Sequence, residues 1–162
     1  MKKSLGLILL AGCSGGSATL SGHGSFSVSE VLATADAGYA ALLLASVDPT
    51  PTCSDVVHKS SVPFTGTAVQ IGVVVIGGGA LATGTFNIQS PNSVAGTFAS
   101  LSLVSQLDGG VTSVYPATSG TLTLTSVGST LAGSFSADLQ NPTENNSYGQ
   151  LTGQFSASTC PP

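Results

Sequence analysis

The chain has 162 residues, enough for one domain with a sizeable core, and a formal net charge of −4 at neutral pH. Only 6% of its residues are charged while 41% are hydrophobic, with Val, Thr, Ile and Leu plentiful, and this composition favours a packed β fold over disorder. Its basic residues are Lys2, Lys3 and Lys59, too few to neutralise a run of phosphates, which excludes nucleic acid and anionic lipid headgroups as electrostatic partners.

The first 12 residues have the organisation of a signal peptide. Two lysines open it, and residues 5–11 are apolar over a length too short to cross a membrane. The sequence LAGC at 10–13 resembles the lipobox of bacterial lipoproteins. That resemblance implies cleavage before Cys13, a thioether-linked diacylglycerol on its sulfur, and a further acyl chain such as palmitate on the new N-terminus. The alternative is an ordinary cleaved signal peptide with an unrelated cysteine nearby.

A lipidated Cys13 places the protein in a bacterial cell envelope, with the membrane as its partner, because two or more acyl chains anchor a protein stably. The residue after the cysteine is Ser14 and not Asp, and in this respect the sequence resembles lipoproteins that are exported to the outer membrane. Residues 13–21 are rich in Gly and Ser, so they predict a flexible tether. A single domain at 22–162 then follows.

The next segment, 24–47, predicts two strands, at 24–35 and 39–47, with a turn at 36–38. Its Ala and Leu content would also suit a helix by propensity. Gly38 in the middle and the strand patterns on both sides oppose that alternative.

The cysteine count is odd, which calls for an explanation in an exported protein. Lipidation of Cys13 leaves Cys53 and Cys160, and an oxidising compartment favours their pairing. Such a disulfide would tie the Pro-rich loop at 48–55 to the end of the chain. Two free thiols are one alternative, and a metal site at Cys53 and His58 is another, although no further ligand stands at suitable spacing.

Two central segments read as strands. Residues 68–76 are apolar on both faces in their second half, which predicts a central strand covered on both sides. In 96–105 the apolar residues change from even to odd positions between Phe98 and Leu101. A β-bulge there would place all of them on the same face of the strand.

The clearest hairpin is at 120–139, where Leu alternates with Thr before a turn at Gly128 and Ser129. Two copies of Leu-x-Gly-x-Phe-x-Ala, at 131–137 and 151–157, place apolar residues on one face and polar residues on the other. The sequence therefore predicts an all-β fold, an antiparallel β-sandwich or flattened β-barrel of about eight or nine strands.

No pattern of catalytic residues is evident. The glycines in 73–84 are spaced as in a dinucleotide-binding loop, but a strand pattern follows them where that loop requires a helix. His23 and His58 stand in no nucleophile signature, and Asp48 and Asp55 are too few for a calcium loop. We therefore expect neither enzymatic activity nor a cofactor or bound metal.

Much of the mature chain resembles a group of uncharacterised bacterial lipoproteins. The likeness rests on LLLAS followed by a cysteine, and on the terminal pattern GTLTLTSV, LAGSFSA, LTGQFSA and a last cysteine. It implies a β fold and paired cysteines, and it implies no activity.

The sequence thus leaves two hypotheses for function. The first is a lipid-anchored envelope protein with a non-catalytic structural or interaction role, whose protein partner is unidentified. The second is a ligand-binding module for a glycan or a small apolar molecule. Tyr115 and Tyr148, which fall in predicted loops, are the candidate ligand-binding residues, since exposed aromatic rings can stack on sugars. Aromatic residues that merely cover one edge of the fold are the alternative.

Overall fold

A computed structural model describes residues 15–28, 30–36, 38–48, 52–54, 65–75, 79–89, 97–106 and 112–160. Ten strands lie within these ranges: β1 (Gly15–Leu20), β2 (Gly24–Ser27), β3 (Glu30–Asp36), β4 (Tyr39–Asp48), β5 (Thr65–Val74), β6 (Gly84–Asn87), β7 (Phe98–Gln106), β8 (Thr112–Ser126), β9 (Thr130–Asn141) and β10 (Asn146–Ser158). Every strand pairing is antiparallel, so the predicted all-β class is confirmed.

The strands form one curled sheet in the order β2-β1-β10-β9-β8-β7-β5-β4-β3, with β6 beside β8. Strand β8 joins the two halves of this sheet. Its first residues, 112–116, pair with β7, whereas residues 117–126 pair with β9. Because one long strand serves both halves, their inward faces curl toward each other and share one core, as in a flattened barrel.

The predicted hairpin at 120–139 is confirmed as β8 and β9. Leu122 and Leu124 are buried, and the turn passes through Gly128, whose φ of 132° suits glycine alone. The predicted turn between the strands at 24–35 and 39–47 is also present, with Gly38 at a φ of 77°. The first of those two strands is divided, since its residues belong to β2 and β3.

The end of the chain closes the curled sheet. Thr159 lies beside Ala33 of β3 in an isolated parallel bridge, and the backbone N–H of Cys160 donates to the carbonyl of Ala33 at 2.7 Å. A disulfide joins Cys160 to Cys53, with their Cα atoms 5.4 Å apart, as the cysteine count predicts. The last residues therefore connect β3, at one edge of the sheet, to β10 near the other.

Two further sequence predictions about the strands are wrong. Gly15–Leu20, expected in the flexible tether, forms β1 and pairs residue by residue with β10. Gly and Ser composition cannot reveal that pairing, since it depends on a strand more than a hundred residues away. The expected bulge at 98–101 is absent, because β7 pairs with β5 in unbroken register and Ala99, instead of Phe98, faces the core.

Strand β5 is central, as predicted, with β4 and β7 on its two sides. Its outer face is only partly covered, since Gln70 is exposed between the buried Val69 and Ile71.

Candidate functional site

The two candidate tyrosines come together at one end of the sheet. The prediction that they fall in loops is wrong, since both lie in strands and are half-buried. Tyr115 lies near the start of β8, and Tyr148 lies near the start of β10, at an irregularity in its pairing with β9. Their rings are stacked with centroids 3.7 Å apart and planes 15° apart. His23, in the turn between β1 and β2, stacks on Tyr148 with a centroid distance of 4.6 Å and an angle of 19°.

Tyr148 is the middle ring of this aromatic stack. Two rings cannot both lie on one face of Tyr148 at these centroid distances without overlapping, so Tyr115 and His23 must cover opposite faces. Burial, and then the hydrogen bond and proximity to the Tyr115 hydroxyl, raise the pKa of Tyr148 above its ordinary value.

This arrangement changes the expected role of the tyrosines. A sugar ring stacks on the flat face of an aromatic side chain, and both faces of Tyr148 are occupied by neighbouring rings. Tyr115 and Tyr148 also pack against the hydrophobic core. The aromatic stack therefore holds the β1–β2 turn against the starts of β8 and β10, as an edge-covering cluster does. Sequence reasoning missed His23, whose pairing with a residue 125 positions later leaves no local signal.

A different surface is prominent on the outer side of the sheet, and we call it the polar face. It consists of two rows of uncharged side chains that run across neighbouring strands in pairing register. The first row comprises Thr85, Thr123, Ser134, Gln154 and Ser17. The second row comprises Asn87, Thr121, Ser136, Thr152, Thr19 and Ser25. All these side chains are exposed apart from Thr123 and Ser136, which are half-buried.

The alternation of each strand produces these rows. On β9 and β10 the inward positions hold Leu, Gly, Phe and Ala, so the intervening Ser, Thr and Gln face outward. Neighbours in the rows meet directly in two places. The hydroxyls of Thr85 and Thr123 are 3.1 Å apart, and so are those of Thr19 and Ser25.

A shallow depression of about 530 Å³ lies beside the first row. Its lining consists mainly of small and neutral polar residues, and Phe155, which also borders it, has its ring buried in the core: Gly15, Gly16, Ser17, Thr125, Ala132, Gly133, Ser134, Gln154, Phe155 and Ser156. The small residues leave the sheet surface low at this point, while the polar side chains rise around it.

One carboxylate borders the polar face. Asp138 accepts a hydrogen bond from the hydroxyl of Ser119 at 2.8 Å and one from the side-chain amide of Gln150 at 3.4 Å. Two neutral donors thus stabilise the negative charge of Asp138 at the margin of the rows.

Several predicted residues lie outside the described ranges, namely Cys13, Asp55 and His58. Within those ranges, no three His, Cys, Asp or Glu side chains gather to form a possible metal site. The described part of the chain also contains no helix with the length and hydrophobicity to cross a membrane. Asp48 is exposed at the end of β4.

Comparisons with known proteins give no match. No protein-family model fits the chain, and neither a curated protein nor a solved structure is significantly similar to it.

Proposed function

We propose that this protein is a bacterial envelope lipoprotein, anchored through lipid on Cys13, whose domain has a non-catalytic interaction role. The observation that carries the anchor is LAGC at 10–13, behind a positive and then apolar leader. The disulfide between Cys53 and Cys160 supports export to an oxidising compartment. The outer membrane is the proposed location, since Ser14 follows the lipidated cysteine.

The interaction role is supported by what the described surface offers. The polar face presents hydroxyls and amides in rows, and His23 is engaged in stacking. Acid–base or nucleophilic catalysis instead depends on titratable groups held in mutual contact. A surface of neutral hydrogen-bonding groups is better suited to binding than to such chemistry.

The anchor would also orient the domain. Only Ser14 stands between Cys13 and β1, so Gly15 would remain within roughly 7 Å of the lipidated residue. Gly15 pairs with Ser156, at the end of the sheet where Cys160 forms its disulfide. This disulfide end would face the membrane. The aromatic stack lies at the opposite end of β1, about 20 Å farther out.

The anchor is tested by replacing its sulfur. In membrane fractionation, the native protein should sediment with membranes and enter solution only with detergent, whereas Cys13→Ser should be released without detergent. Ser14→Ala is the matched control, since it leaves the lipidated sulfur intact and should stay with the membranes. Because cleavage before residue 13 depends on the lipidated cysteine, the comparison uses variant chains whose mass shows that the leader has been removed. Retention of those Cys13→Ser chains in the membrane fraction would contradict the proposal.

A further inference from the structure

We propose that the polar face binds an extended, neutral oligosaccharide. This inference gives a ligand class to the proposed interaction role, and it does not depend on lipid at Cys13. It moves glycan binding away from Tyr115 and Tyr148, whose stacked rings support the fold instead.

The uncharged side chains of the two rows favour a neutral ligand. The two rows contain Thr, Ser, Asn and Gln alone, across β6, β8, β9, β10, β1 and β2. Phosphorylated or sulfated polymers bind through Lys and Arg, which the rows do not contain. The adjoining carboxylate of Asp138 would repel them further. A neutral glycan meets no such repulsion.

The hydroxyl groups of the rows match the hydrogen-bonding chemistry of sugars. Hydroxyl groups both donate and accept, as sugar hydroxyls do, so either partner can adapt its protons to the other. Neighbouring strands stand about 4.8 Å apart, and outward residues along a strand repeat about every 6.7 Å. The polar face therefore offers a regular two-dimensional set of contacts, which an extended chain of sugars can use along its length.

The depression beside the first row offers a surface on which a sugar ring can lie. Gly15, Gly133 and Ala132 contribute a low surface with little polarity, on which the C–H face of a sugar ring can pack. Ser134 and Gln154 stand at its margin with groups that can reach sugar hydroxyls. The depression is open to solvent, so a sugar ring would lie on the sheet surface at this point.

A protein partner fits the polar face less well. Strong protein interfaces centre on large apolar, aromatic or Arg side chains that become buried. The outward residues of the two rows include none of these. Val114, the exposed large hydrophobic residue in the described part of the chain, stands in the first part of β8, before the residues that carry the rows.

The test uses the full-length protein in detergent and hexasaccharides of β-1,4-linked glucose and of β-1,4-linked N-acetylglucosamine as probes. A sulfated hexasaccharide serves as the charged comparison. Titration calorimetry should detect binding of at least one neutral probe and weaker binding of the sulfated one. Gln154→Lys should weaken the neutral complex about tenfold, since it replaces a neutral hydrogen-bonding group of the first row, between Ser134 and Ser17.

Gln70→Lys is the matched control. Gln70 is also an exposed strand glutamine, but it lies on β5 in the other half of the sheet, so this variant should keep its affinity within about twofold. Ser134→Ala is a second row variant, which removes one hydroxyl without adding charge and should weaken binding by a smaller factor. Unchanged melting temperatures would show that all three variants fold.

Three outcomes would overturn the inference. One is that neither neutral probe binds to correctly folded protein. Another is that Gln154→Lys and Gln70→Lys have equal effects. The third is that sedimentation shows the native chain to self-associate through this face, with Gln154→Lys abolishing the dimer. Each of these results leaves the lipid anchor untouched, because mass and membrane fractionation report on the anchor separately.

Discussion

Phe135 on β9 lies directly opposite Gly153 on β10, and its ring occupies the space that a side chain at position 153 would need. The relationship is reciprocal, since Phe155 on β10 lies opposite Gly133 on β9. Two Gly-x-Phe segments in antiparallel register produce this pairing automatically. Each ring thus covers backbone that the opposing glycine leaves bare, which stabilises the pairing of β9 with β10.

We predict that Gly153→Ala lowers the free energy of unfolding by about 1–3 kcal/mol through overpacking. The added Cβ would lie 2.7 Å from Cε1 of Phe135 and would also crowd the backbone oxygen of Ser17. Gly15→Ala is the control, because a Cβ at that position meets nothing within 4 Å, and its effect should stay within about 0.5 kcal/mol. Denaturant unfolding under non-reducing conditions measures both, and equal stabilities would contradict the packing described.

The disulfide should contribute strongly to stability. Cys53 and Cys160 enclose a separation of 107 residues, so breaking the bond releases a large loop in the unfolded chain. We expect the Cys53→Ala/Cys160→Ala double variant to lose about 2–4 kcal/mol of unfolding free energy. Reductant should lower the stability of the native protein by a similar amount and leave the double variant unchanged. Equal stability of the native and double-variant proteins would refute this role.

The raised pKa of Tyr148 has a consequence at alkaline pH. A raised pKa means that the folded protein keeps this proton after the unfolded chain has lost it. The free energy of unfolding should therefore fall as the pH rises above about 10, the ordinary tyrosine value. The part of this fall that comes from Tyr148 should end once the pH exceeds the pKa of Tyr148 in the folded protein.

Tyr148→Phe should remove this part of the alkaline loss of stability. Tyr115→Phe deletes the neighbouring hydroxyl, so it should lower the pKa of Tyr148 toward its ordinary value. Ultraviolet absorbance of tyrosinate during a pH titration follows the ionisation, and Tyr39→Phe, at a residue outside the stack, provides the comparison. If all three variants titrate alike, Tyr148 is not perturbed by its neighbours.

The aromatic stack also predicts coupling between His23 and Tyr148. A double-mutant cycle with His23→Ala and Tyr148→Ala should give an interaction free energy of about 0.5–1.5 kcal/mol, the range typical of aromatic pairs. The same cycle with His23→Ala and Tyr39→Ala should give none. Additive effects in the first cycle would show that His23 does not support the stack.

The sequence was informative wherever the determining pattern was local. Alternating Leu and Thr, with Gly128 at the turn, predicted the β8–β9 hairpin, because both strands and their turn are contiguous. The parity change at Phe98 does not indicate a bulge, since a half-buried phenylalanine can face outward and leave a small residue such as Ala99 in the core.

Long-range pairings were not predictable in the same way. Gly16 in the expected tether lies opposite Phe155, where an added Cβ would stand 3.0 Å from Cγ2 of Val31. The glycine at position 16 is therefore required by close packing, and composition alone cannot distinguish such a glycine from one in a flexible segment. The aromatic stack and the polar face likewise depend on strand order, which brings together residues distant in the chain.

The intact mass of protein extracted from native membranes reports on the proposed lipid anchor without relying on any variant. We expect a chain that begins at Cys13 and carries the added mass of a diacylglycerol and one further acyl chain. Reduction should add two hydrogen atoms, one to each sulfur of Cys53 and Cys160, with the reductant supplying the two electrons. An unmodified chain, cleaved at another residue or still carrying its leader, would rule out the lipid anchor.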